Sequence, residues 1–199
     1  MQLNSRTKLV LSLVLSISPL TTGCSAQWIK VALADLPVLI QMALNVGTLV
    51  TTLQSGHQLS PSETDAIQNI SAEASRDLNL LQTLYDDYQA NPNSATIQEI
   101  QAAIADTNQN LPAILQAARI VDPVLSTRIT AAVSLILSTV NSFAALIPQT
   151  GAPMVVQKSV RRTAKIPSVG DLKKDWNQNV CGPTGRPNLD QAFAVCAVK

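Results

Sequence analysis

Three cysteines carry most of the chemistry this sequence offers, and their spacing separates one from the other two. Cys24 ends a short apolar run, whereas Cys181 and Cys196 flank Gly182-Pro183-Thr184-Gly185-Arg186-Pro187 near the C-terminus. With Cys24 spent elsewhere, the remaining two make one pair and leave no thiol over. A bridge there closes a loop of about fifteen residues, which in the chain-entropy view stabilises by roughly 3 kcal/mol and forms only in an oxidising compartment. Two unpaired thiols in a loose end are the alternative. Without a neighbouring histidine, two thiolates fall short of the tetrahedral ligand set of structural zinc, so no metal is expected.

The other titratable groups converge poorly. His57 is the only histidine, and its Ser55-Gly56-His57-Gln58 setting reads as a solvated loop instead of a general base. Asp86-Asp87, between Tyr85 and Tyr88, reads as a water-facing pair at a helix end. No Gly-rich phosphate loop and no nucleophile elbow is present. The expectation is a protein that is not an enzyme, with no catalytic residue, no cofactor and no small-molecule substrate.

The first residues read as an address. Arg6 and Lys8 form a positive start, the twelve residues from Leu9 to Leu20 are largely apolar, and Thr21-Thr22-Gly23-Cys24 follows at once. That run is too short to span a bilayer. Its end resembles the lipobox of bacterial lipoproteins, in which a peptidase cuts before a cysteine whose thiol carries diacylglycerol. Gly23 and Cys24 match the last two positions, while Thr21 stands where the family usually has Leu and Leu20 lies one place early. The resemblance covers residues 1–24 alone. It implies export, lipid attachment at Cys24 and a membrane partner reached through the lipid. In a cell with two membranes, Ser25 would sort the protein to the outer one. Ordinary cleavage near Ala26, which discards Cys24, is the competing reading.

Past this leader, composition points to helices. Apolar residues are 46% of the chain but aromatics only 3%, so the core is built from Leu, Ile, Val and Ala, and alternating aromatic strand patterns are missing. Charged residues are 14%, below the roughly 25% of typical soluble domains, which leaves Gln, Asn, Ser and Thr to supply the polar surface. Residues 25–151 carry a net charge of −6 and residues 152–199 one of +5.

Four helical segments follow. The first, over 27–52, has a broad apolar face opposite Gln41, Asn45, Thr48 and Thr52. Pro37 either kinks it or marks a restart capped by Asp35. Ser60-Pro61-Ser62-Glu63 combines a cap, a first-position proline and a capping-box glutamate, and so starts the second. That helix ends at Asn91-Pro92-Asn93, the third starts at Asn93 or Ser94 with Pro112 inside it, and the fourth runs from Asp122-Pro123 to Ile147. Short connections imply antiparallel neighbours, hence an all-α fold: an up-down four-helix bundle with an extended C-terminal tail containing one disulfide loop. The expected division is a signal peptide over 1–23, the bundle over 24–148 and a basic, partly extended tail over 149–199, with short helices near 168–176 and 188–195.

The tail's basic cluster, Lys158, Arg161, Arg162 and Lys165, either meets anionic lipid head groups or folds back on the acidic body. It is not interleaved with aromatics, and no nucleic-acid partner is expected. The functional expectation is an exported, membrane-anchored envelope lipoprotein acting as a structural or protein-binding module, docking another envelope protein or itself. A rival comes from charge: residues 36–62 and 129–157 hold no Asp, Glu, Lys or Arg. Helices over 36–54 and 129–147 would then insert in a membrane, in a pore-like or holin-like arrangement. Against it stand the polar stripes, on the first helix and at Thr130, Ser134, Ser138, Asn141 and Ser142 on the fourth.

Overall fold

The computed structural model describes residues 26–56, 58–147 and 166–199, and among these it holds six helices and no strand. They are α1 (Ala26–Ser55), α2 (Pro61–Ala90), α3 (Ser94–Ala117), α4 (Pro123–Ala144), α5 (Val169–Asn179) and α6 (Pro187–Ala194). The leader with Cys24, the loop residue His57 and the cluster of Lys158, Arg161, Arg162 and Lys165 lie outside the described residues.

Local side-chain chemistry sets most helix starts. Ser60 accepts from the Glu63 backbone N–H while the Glu63 carboxylate accepts from the Ser60 N–H at 3.0 Å, a complete capping box followed by Pro61. Asn93 caps α3 by accepting from Thr96 N–H at 2.8 Å, and Asp122 caps α4 by accepting from Val124 and Leu125, each at 2.9 Å. Ser168 and Asp171 build a second capping box at the start of α5.

The internal prolines break nothing. α1 runs through Pro37 and α3 through Pro112. Asp35 is therefore not a cap but a mid-helix residue, only 2% exposed. A proline removes one hydrogen bond from a helix, and the packing of Leu36, Leu39 and Met42, all fully buried on the same helix, outweighs that loss.

The long helices pack as the pairs α1–α2, α2–α3, α3–α4 and α1–α4, with α5 against α4 and α1 and with α6 against α1. One apolar core runs through all six, including Leu49, Ile70, Leu78, Ile104, Ile136 and Phe143. Tyr85 meets Phe143 edge to face, with ring centroids 6.2 Å apart. Trp176 and Phe193, both fully buried, belong to the same cluster. The residues from Ile166 onward are thus part of the core and not an appendage to it. Cys181 and Cys196 are joined by a disulfide with Cα atoms 5.8 Å apart, and α6 lies inside the loop it closes.

Candidate functional site

Polar contacts concentrate where α5 and α6 meet α1 and α4. The Cys196 carbonyl accepts from the Asn45 amide at 3.0 Å and from Trp176 Nε1 at 2.8 Å, so a helix α1 side chain and a helix α5 indole hold the same oxygen beside the disulfide. Arg128 of α4 donates to the carbonyls of Gln178, Asn179 and Pro183 at 3.3, 2.7 and 3.2 Å. Gly182 is required there, because a Cβ at that position would stand 2.4 Å from the Gln178 carbonyl oxygen. Arg186 Nη2 donates to both oxygens of Asp122, at 2.7 and 2.6 Å, in a charge-assisted pair. Burial acts to raise the Asp122 carboxyl, but the Arg186 guanidinium and the capped backbone N–H groups outweigh it and hold the group below the usual carboxylate range. Asp190 accepts from the Thr184 hydroxyl at 2.6 Å and from its N–H at 2.5 Å, which holds this half-buried carboxyl low and fixes the turn before α6. The Asn177 side chain pairs with both backbone groups of Val198, at 3.0 and 2.9 Å.

This arrangement corrects one part of the stripe on α1. Gln41 and Thr48 are exposed, but Asn45 is only 8% exposed. Burial of an amide is tolerable because Cys196 supplies an acceptor and Gln41 donates to it at 2.8 Å. On α4 the stripe faces outward at Thr130, Ser134, Ser138 and Asn141. Asn141 exchanges amide bonds with Asn108 of α3 at 2.7 and 3.1 Å.

Two carboxylates lie buried away from this clasp. Asp35 Oδ2 has no hydrogen-bond partner among the described residues, and burial pushes its pKa up to about 6. Asp77 on α2 is also raised, first by burial and then by Glu73, although Arg76 bridges to it at 3.5 Å. Arg76 also pairs with Glu73. Between α2 and α3 run two shallow depressions of about 320 and 450 Å³ that share Asn69, Ile114 and Ala117. Asp65, Glu73, Arg76 and Arg119 lie among their walls, without a nucleophile and base in contact.

Asp86 and Asp87 are exposed, while Tyr85 and Tyr88 turn inward, so the four residues do not form one site. Among the described residues, no group of three or more His, Cys, Asp or Glu could hold a metal ion. Asn45, Arg128 and Arg186 escape a reading of the sequence because their partners lie 151, 51 and 64 positions away, and no local pattern marks such pairs. No family model, no curated protein and no solved structure matches this chain.

Proposed function

We propose that this chain is a cell-envelope lipoprotein, exported and tethered to a membrane through lipid on Cys24, whose helical body is a structural or protein-binding module and not an enzyme. The carrying observation is the leader: Arg6 and Lys8, the apolar run to Leu20, then Gly23-Cys24, which resembles a lipobox. The disulfide between Cys181 and Cys196 supports an oxidising compartment. No helix other than α1 and α4 is long and apolar enough to cross a membrane among the described residues, and the α1 residues Leu36, Leu39, Met42, Leu49 and Val50 are fully buried against neighbouring helices. That burial favours a body outside the bilayer.

The body is proposed to be an up-down bundle of α1 to α4. Gln54 meets Thr64, and the Ser71 hydroxyl donates to Ala43, so contacts step in opposite directions along α1 and α2. Its exposed weakly polar stripe on α4 is the surface offered to an envelope partner or to a second copy. The basic cluster Lys158, Arg161, Arg162 and Lys165 is placed at the anionic lipid surface or against the acidic body.

Labelled palmitate offered to producing cells is expected to enter the wild-type chain and not Cys24→Ala. Equal labelling of both, or of neither, removes the tether. The second reading, insertion through 36–54 and 129–147, is favoured by the two apolar helices, one of them near the N-terminus. A Cys24→Ala chain made without its leader separates the two: monomeric protein in plain buffer supports the tethered body, and material that needs detergent supports insertion.

A further inference from the structure

The outer seams of the helical body differ in what lies over them. α5 and α6 pack on α1 and α4, whereas no other described helix packs across the seam between α2 and α3. There the depressions of about 320 and 450 Å³ share Asn69, Ile114 and Ala117 and so form one trough. Its walls are low where α2 contributes Ala66 and Ala72 and α3 contributes Ala117. A facing helix then fits at the roughly 8–10 Å usual between packed helix axes.

Charge along this trough is ordered. On α2, Asp65 and Arg76 are both exposed and stand eleven residues apart, about three turns, so they share a face. Arg76 also pairs with Glu73 and Asp77 of its own helix, yet its side chain is 67% exposed while that of Glu73 is 15% exposed. The bond from Asn110 to Glu73 fixes the antiparallel register of α2 and α3. In that register Asp106, exposed one turn before Asn110, lies level with Asp77. Arg119, exposed just past the end of α3, lies close to the level of Asp65 and shares a wall of the trough with it. One end therefore presents Asp65 and Arg119, and the other presents Arg76 and Asp106. The midpoint of Asp65 and Arg76 falls between Ile70 and Ser71, and that of Asp106 and Arg119 falls between Pro112 and Ala113. The Asn110–Glu73 register puts these two midpoints at one height.

We propose that a second copy of this chain docks in the trough, antiparallel, about a two-fold axis at that shared midpoint. The axis sets Asp65 against the partner's Arg76 and Arg119 against the partner's Asp106, and symmetry repeats both pairs. A parallel pairing would oppose like charges at each end, which charge patterning excludes. The pairing needs no lipid on Cys24 and leaves the α4 stripe to an envelope partner. In chains tethered as given under the proposed function, the two-fold runs along the membrane normal, so both N-termini stand at one height.

The test is cross-linking of the full chain in the cells that produce it. Asn69→Cys places a thiol beside the axis, with its symmetry mate opposite Ala72, about 4.5 Å further along the helix. A short bismaleimide should then join two copies into a dimer. The wild type, whose Cys181 and Cys196 are already bonded, reports any cross-linking through Cys24. Ser134→Cys on α4 should add none. Asp65→Arg in the Asn69→Cys chain faces the partner's Arg76 and should reduce the dimer at least about tenfold, as should Arg76→Asp. Producing those two charge variants together re-forms both pairs across a mixed dimer, and cross-linking should return, which a misfolded chain would not allow. Should either charge variant fail to fold, Asn69→Cys alone still decides. If Asn69→Cys takes up maleimide and yields no dimer, or joins a different protein, no second copy lies in the trough. A dimer through Ser134→Cys in its place puts the contact on α4 and overturns the proposal. An undiminished dimer with Asp65→Arg overturns the antiparallel register. An absent acyl mass on Cys24 would remove the tether by itself, while cross-linking at Asn69→Cys still decides the pairing.

Discussion

Asp35 is a carboxylate inside the core with nothing opposite one of its oxygens, and its pKa of about 6 comes from the loss of water. The native form therefore holds the proton more tightly than the unfolded chain does. Asp35 costs nothing below the unfolded value of 3.8, and stability declines as pH rises from there through about 6. Asp35→Asn removes the ionisation at nearly constant shape. Urea unfolding at pH 8 should show it more stable than wild type by roughly 1–3 kcal/mol, with little difference at pH 4. An equal effect at both values would mean that packing, not charge, governs the site. Glu63 behaves in the opposite sense. Burial raises its carboxyl, but bonds from Ser60, Val121 and Asp122 outweigh this and leave it low. Its contribution is present at neutral pH and lost as pH falls through the depressed value.

The close approach of α1 and α2 depends on a missing side chain. Gly47 faces Ser71, whose hydroxyl donates to the Ala43 carbonyl at 2.7 Å, and a Cβ on Gly47 would stand 2.7 Å from that same oxygen. Ala gains about 0.5–1 kcal/mol over Gly inside a helix, yet here it must displace a buried hydroxyl from its acceptor, at a cost of about 1–3 kcal/mol. Gly47→Ala should be neutral to destabilising, and Gly47→Ala/Ser71→Ala should recover about 1 kcal/mol relative to it. Denaturant midpoints of the two single variants and the double variant measure that coupling; strict additivity would contradict the contact. Helix starts at Ser60, Asn93, Asp122 and Ser168 are legible in sequence because a cap and the backbone N–H it accepts from lie within three residues of each other. The continuity of α1 through Pro37 is not, since the favourable terms come from the helices packed around it.

One core spans all six helices, with Trp176 and Phe193 as much a part of it as Leu49 or Ile70. The chain should therefore unfold in one step, with indole fluorescence and circular dichroism tracing the same transition. Cys181→Ser/Cys196→Ser should lower the unfolding free energy by roughly 3 kcal/mol, the loop-closure contribution for 15 residues. Two separated transitions would mean that the C-terminal pair folds apart from the long helices.

The sequence by itself determines that the body is helical, where most helices begin, and that Cys181 and Cys196 are available to each other, because apolar period, capping and loop length act over a few residues. Tertiary structure alone decides that Asn45 is buried, that Asp35 sits mid-helix in the core, and that the C-terminal helices close over α1 and α4. Those outcomes depend on contacts between residues tens to more than a hundred positions apart. Burial is a property of what lies opposite a side chain, and the residue's own neighbours in sequence do not specify it.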